Sequence, residues 1–153
     1  MTKKDVISSL RTQLGQKIAV LKSALAESSE SASGNETKSE GKYDTRAIEA
    51  SYLAEAQAEQ LALAEESLGL FKRFEAPPFD LNDEIGAGAL VEVDQDGEIC
   101  FYLLAPTAGG LMTEYLGCDL TVITPDSRLY QALSESKFGD TLDQPPLTIL
   151  GVE

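Results

Sequence analysis

The chain of 153 residues reads as an α+β protein, with a long N-terminal helical pair followed by a small antiparallel sheet domain that carries one short helix. Three observations predict this. Apolar residues recur at helical spacing on both sides of a polar stretch at 28–45. After Pro77-Pro78 the pattern shifts towards alternation. Turn residues then punctuate the second half of the chain at short intervals.

The first arm is predicted as a helix from Lys4 to Glu27. Ile7, Leu10, Leu14, Ile18, Leu21 and Leu25 follow one another in steps of three and four, which makes a single seam. Ser8, Arg11, Lys17, Lys22 and Ser23 are left for the remaining surface. The stretch SSESASGNETKSEGKYDT at 28–45 is the polar tip of an antiparallel hairpin, or coiled coil. The second arm is predicted from Asp44 to Phe74, with Asp44 or Thr45 as its N-cap. Its expected stripe is Ile48, Tyr52, Ala56, Leu63, Leu70 or Phe71, and Phe74. Ala47, Ala50, Ala54, Ala56, Ala58, Ala62 and Ala64 let the two arms approach closely. At 1.5 Å per residue each arm is roughly 35–45 Å long, and arms of that length are expected to project from so small a domain.

Glu75-Ala76-Pro77-Pro78 ends the helix, because proline lacks the amide donor and restricts the residue before it. Ala87 to Val93 and Glu98 to Leu104 are predicted as a hairpin around Asp94-Gln95-Asp96-Gly97. Leu116 to Ile123 makes a third strand and Ser127 to Ser134 a short helix, entered through Thr124-Pro125-Asp126. Gly139-Asp140 turns the chain towards a closing strand, Leu147 to Val152. The expected core is Leu90, Val91, Val93, Ile99, Phe101, Leu103, Leu120, Val122, Ile123, Leu129, Leu133, Leu147, Ile149 and Leu150. The chain thus divides into a hairpin at 1–75, a linker at 76–82 and a C-terminal domain at 83–153.

Charge is unevenly shared. Residues 1–75 hold 10 Lys+Arg against 12 Asp+Glu, whereas 76–153 hold 2 against 14. So acidic a C-terminal half repels phosphate backbones and favours a basic protein partner. There is no histidine, so Ser-His and Cys-His catalysis and histidine metal ligation are excluded. Cys100 and Cys118 are too few for a structural zinc site, and their apolar settings predict reduced, half-buried thiols. Gly86-Ala87-Gly88 lacks the third glycine of a dinucleotide loop, Val91 standing in its place. Neither arm has the apolar run of a membrane span, and MTKKDVISS lacks the apolar core of a secretory signal.

The order of long helical hairpin, short linker and small sheet domain resembles the bacterial GreA/GreB transcript-cleavage factors, over almost the whole chain. Val122 to Leu133 is similar to that family's strand, Ser-Pro and short-helix segment. Phe138-Gly139-Asp140 matches its Gly-Asp turn, and Ile85 to Val91 its opening strand. The resemblance implies an FKBP-like fold for the C-terminal domain, without prolyl isomerase activity. It further implies a cytoplasmic, monomeric accessory factor that binds RNA polymerase and meets nucleic acid only through it.

In that family the coiled coil enters the polymerase's secondary channel, and acidic tip residues help hold a second Mg²⁺ beside the catalytic ion. The polymerase then cuts its own backtracked RNA by a two-metal mechanism. The factor itself is not an enzyme and binds no cofactor alone. Carried over residue by residue, Glu36, Lys38 and Tyr43 fit the family's tip. Its second acidic position holds Ser39 here, with Glu40 one residue on. Glu36, Glu40 and Asp44 are therefore the candidate catalytic carboxylates, and Glu36 and Glu40 the candidate Mg²⁺ ligands. Pro125, Asp126, Ser127 and Arg128 are the candidate partner-binding residues. Two other readings stay open: a channel binder that supplies no metal ligand and inhibits or modulates transcription, and a coiled-coil adaptor for another basic protein.

Overall fold

The structure is a computed structural model that describes the backbone of residues 2–38 and 45–153, and their side chains except at 28–38, 45–47 and 50. Two helices, α1 (Lys3–Lys38) and α2 (Thr45–Arg73), precede β1 (Leu90–Gln95), β2 (Glu98–Leu104), β3 (Met112–Tyr115) and β4 (Cys118–Ile123). Then come α3 (Arg128–Leu133), β5 (Thr141–Asp143) and β6 (Pro146–Val152). The architecture is α+β, as the sequence predicts. The six strands form one sheet in the order β3-β4-β2-β1-β6-β5. It departs from the expected antiparallel sheet at one place, since β2 and β4 run parallel. The cause is that residues 105–117 cross over, with β3 added on the outside of β4.

α1 opens on a capping box. The Thr2 amide donates to the Asp5 carboxylate at 2.8 Å, and the Asp5 amide donates back to the Thr2 hydroxyl at 3.3 Å. The Thr2 amide, and the Thr2 hydroxyl donating to the same carboxylate at 3.0 Å, hold the Asp5 carboxyl below its ordinary range. The helix continues past the expected stop at Glu27 to Lys38. Nothing between those residues is a proline, and a helix already nucleated gains one hydrogen bond for each residue added. Polar composition alone does not end a helix.

The chain forms two compact units. Gln13–Leu68 is one, and Met1–Thr12 with Gly69–Glu153 is the other. In the first, α1 contributes buried Leu14 and Ile18 and half-buried Leu21 and Leu25. From α2, Ala54, Gln57, Leu61, Ala64 and Leu68 are half-buried, again in steps of three and four. Lys22 and Glu65 meet across the antiparallel pair at 3.7 Å, an exposed ion pair of little energetic weight. The predicted α2 stripe is corrected here. Ile48, Tyr52 and Leu63 are exposed, and so are Ala56, Ala58 and Ala62. Small residues at 54 and 64 suit close helix approach, and the bulkier Ile48, Tyr52 and Leu63 lie on other faces.

In the second unit Val6, Ile7 and Leu10 of α1 are buried together with Phe71 of α2, while Leu70 is exposed. The Phe71 and Phe74 rings pack at 5.8 Å. One face of the sheet joins Val91, Val93, Leu104, Ile123 and Ile149 to Leu133 of α3 and to Ile85. Leu90, Phe101, Leu103, Leu120 and Val122 are buried as well. Each such aliphatic or aromatic side chain contributes about 1.5–3 kcal/mol by leaving water. Three members of the expected core fall short, one of them Leu129, which is half-buried against it. Ile99 is exposed near the start of β2, and Leu150 is half-buried where the β1–β6 register slips.

Asp96 and Gly97 both have positive φ, so β1 and β2 are joined by the two-residue turn that Asp-Gly favours. β3 and β4 are joined in the same manner by Leu116 and Gly117, at φ 52° and 79°. The strand expected from Leu116 to Ile123 is therefore β4, starting at Cys118, with Leu116 in the turn and β3 before it an additional, unexpected strand. A leucine in this conformation is strained by roughly 1–2 kcal/mol. Gly88, at φ 90°, is required for a second reason. A Cβ there would lie 2.7 Å from Pro77 Cδ, so the linker could not lie so close.

Two stability measurements follow from these placements. Phe71→Ala should cost about 3–5 kcal/mol in urea unfolding, and Leu63→Ala should stay within about 0.5 kcal/mol of the parent. Leu116→Asn should raise stability by about 0.5–1 kcal/mol, because asparagine tolerates the turn conformation that leucine resists.

Candidate partner-binding site

Of the candidate tip residues, Glu36 lies on the backbone of α1, near its end at Lys38, and its side chain is outside the described set. Glu40 and Asp44 fall outside the described residues. Among the described residues no group of three His, Cys, Asp or Glu side chains is placed to hold a metal ion.

The candidate partner-binding residues come together. Pro125, Asp126 and Arg128 are exposed and Ser127 is half-buried, all in the turn that leads from β4 into α3. The turn is closed locally. The Ser127 amide donates to the Thr124 carbonyl at 2.8 Å, and the Thr124 hydroxyl donates to the Asp126 carboxylate. Ser127 is the N-cap of α3 and accepts from the Tyr130 amide at 3.5 Å. The Gln131 side-chain amide donates to the Pro125 carbonyl at 3.0 Å. From behind, Gly109 approaches so closely that a Cβ would meet Thr124 Oγ1 at 2.9 Å. With its backbone and hydroxyls engaged in the turn, this corner presents a proline ring, a carboxylate and a guanidinium to solvent. That surface suits shape and charge matching with another protein and has no nucleophile–base pair for catalysis.

Two residues at the base of the helices were not anticipated as important. Arg11, expected merely on the solvated surface, is half-buried. It donates to the carbonyls of Phe71 and Lys72, both at 3.3 Å, and of Phe74 at 3.2 Å. It therefore satisfies the last carbonyls of α2. Lys3 donates to the carbonyls of Pro77 at 2.9 Å and Glu153 at 2.8 Å, and its ammonium lies 5.0 Å from the centre of the Phe79 ring. No periodicity rule points to either residue, because their partners are backbone atoms far away in sequence. A cleft of about 870 Å³ beside Ile7, Arg11, Phe74 and Pro78 adjoins this junction. Its two most sheltered cations, Lys3 and Arg11, are already bonded to carbonyls.

The neighbouring sheet holds phenols rather than reactive groups. Tyr115 donates to Glu153 at 3.0 Å and packs edge-on against Phe101 at 4.9 Å. Burial and that hydrogen bond push its pKa up. Tyr102 donates to Gln95 at 2.8 Å and is pushed up to about 12, chiefly by burial. Cys100 and Cys118 are free and half-buried, and burial raises the Cys100 thiol. A thiol raised in this way is a poor nucleophile.

The chain is similar to the crystal structure of GreA factor homolog 1 (Gfh1) of Thermus thermophilus, at 18% identity and a TM-score of 0.37, with 94% of each chain covered. It is also similar to Thermus aquaticus Gfh1, at 17% identity and a TM-score of 0.35, over 93% of this chain and 92% of that one. No protein-family model matches it, and no curated protein does. No helix among the described residues is long and apolar enough to cross a membrane.

The Lys3 junction has a readable pH signature. Burial lowers its pKa to about 8 from 10.5, with Glu153 pulling the other way. Above pH 8 the folded chain has released a proton that the unfolded chain still keeps, so stability should rise with pH. Below pH 8 the burial cost is present in full. Half-exposure screens the effect, leaving less than about 1 kcal/mol between pH 8 and about 9.5, before the unfolded tyrosines titrate. Across that window urea midpoints should rise more with pH for the parent than for Lys3→Met, the buried Cys100 thiol pulling both chains equally the other way.

Proposed function

We propose that this chain is a Gre-like transcription factor, a cytoplasmic and monomeric accessory protein that binds RNA polymerase and delivers the end of its helical hairpin into the secondary channel. The observation that carries this reading is Gln13–Leu68, a compact unit whose described residues form an antiparallel helical pair on one seam. From Gln13 to Lys38 alone α1 runs about 39 Å. Such a unit holds no enzymatic core of its own among the described residues. What it offers is reach, with carboxylates at 36, 40 and 44 near its far end in sequence. The resemblance of the Val122–Leu133 segment and of the tip residues Glu36, Lys38 and Tyr43 to the GreA/GreB factors supports the same reading.

In this proposal the turn at Pro125, Asp126, Ser127 and Arg128 contacts the polymerase, and Glu36 and Glu40 serve as oxygen ligands at its active site. Their chemistry fits Mg²⁺, a hard ion that prefers oxygen and keeps several waters. Such an ion, when bound, activates the attacking oxygen or stabilises the leaving one. The chain's own part is to bring the carboxylates there, orient them and hold the factor in place. Nucleic acid is met only within the polymerase.

A second reading has its own support. Ser39 stands where the second acid of the family's tip is found, and α1 stays helical through Glu36 to Lys38. A factor so built would occupy the channel without completing a metal site, and would inhibit or modulate transcription.

Purified core polymerase decides between these. The parent chain should be retained on immobilised polymerase at low salt, and absence of binding would remove both readings in favour of an adaptor for another basic protein. On stalled complexes the parent should stimulate RNA cleavage, and at least one of Glu36→Ala, Glu40→Ala and Asp44→Ala should lower it by about tenfold while still binding. Binding without cleavage identifies the second reading.

A further inference from the structure

The outer face of α2 has a use that the seam does not explain. Ile48, Tyr52 and Leu63 are 48%, 67% and 65% exposed. At 100° per residue they fall within about 60° of one another, on the side of the helix opposite Ala54, Leu61 and Leu68. A single exposed leucine means little. Three aligned apolar side chains on a helix that already buries its other face make a second stripe, broken between Tyr52 and Leu63 by Glu55 and Glu59.

Charge narrows what can cover it. Between Ala47 and Phe71 the helix carries Glu49, Glu55, Glu59, Glu65 and Glu66 and not one Lys or Arg. Glu55, Glu59 and Glu66 are exposed and share the angular sector of the stripe. A second copy whose own α2 face is laid along the stripe, parallel or antiparallel, would bring these glutamates against one another and be repelled. A nucleic acid would be repelled likewise. A basic amphipathic helix meets both demands, since its apolar side chains cover the stripe while its cations face the glutamates.

We infer that the outer face of α2 is a docking surface for a basic amphipathic helix of another protein, with Tyr52 and Leu63 as apolar anchors and Glu55, Glu59 and Glu66 as the charge match. The inference is independent of the polymerase reading, because it uses no tip residue and no residue of the turn before α3.

The probe is a synthetic amphipathic helical peptide of leucine and lysine, titrated into the full chain by calorimetry beside the same peptide with glutamate for lysine. The lysine peptide should bind and the glutamate peptide should not. Tyr52→Ser with Leu63→Ser should weaken binding by about tenfold or more with the helical circular dichroism unchanged. Glu55→Gln, Glu59→Gln and Glu66→Gln together should weaken it severalfold. Glu98→Gln, Glu114→Gln and Asp119→Asn, which remove equal charge from the sheet, should leave it unaltered. The inference is overturned if the lysine peptide does not bind, if the Tyr52/Leu63 variant binds as the parent does, or if the sheet variant loses as much as the helix variant. A parent dimer in sedimentation that the Tyr52/Leu63 change dissolves would also overturn it, naming a second copy as the occupant.

Discussion

One seam of small and medium side chains decides what each helix shows to the outside. On α2 the half-buried line Ala54, Gln57, Leu61, Ala64 and Leu68 faces inward, so the bulkier Ile48, Tyr52 and Leu63 stay in solvent. Alanine allows two backbones to approach closely, and dispersion then acts over many atom pairs along the whole line. A helix pair held this way keeps its register through steps of three and four, whatever its outer surface carries. Selection can then alter the outer face with little effect on stability.

At the base of the helices the governing contact is polar. Arg11 gives its guanidinium to three carbonyls at the end of α2, groups that would otherwise lack partners where the chain leaves the helix for Pro77 and Pro78. Lys3 does the same for the linker and for Glu153. In each case a cation from the start of α1 terminates a segment remote in sequence. The basic residues of the first helix are thus partly structural, which tempers any reading of them as a solvated surface.

Much of the architecture was legible because it rests on local rules. The Asp96-Gly97 turn, the helix entry at Thr124-Pro125-Asp126 and the α1 seam each follow from residues a few positions apart. What escaped had physical reasons. α2 carries two apolar stripes, and hydrophobicity alone favours the bulkier, outer one. β3 was hidden because Leu116-Gly117 turns the chain with a leucine at positive φ, where the usual signal is asparagine or aspartate. The parallel pairing of β2 with β4 depends on a crossover, which no short-range pattern encodes. Of the candidate site, the grouping of Pro125 to Arg128 in one turn was legible in the Thr124-Pro125-Asp126 helix entry, whereas the Ser127 cap emerged only from the structure. The tip residues Glu40 and Asp44 lie outside the described residues, so their part of the site rests on sequence.

The two rims of the sheet limit how any partner can hold it. β3 has four residues and β5 three, and each is the outermost strand on its side. So little free main chain gives scant purchase for an incoming strand to extend the sheet by backbone hydrogen bonds. Recognition of this protein must therefore be written in side chains, and a change at a corner or on a helix surface can retune its choice of partner without disturbing the ladder beneath.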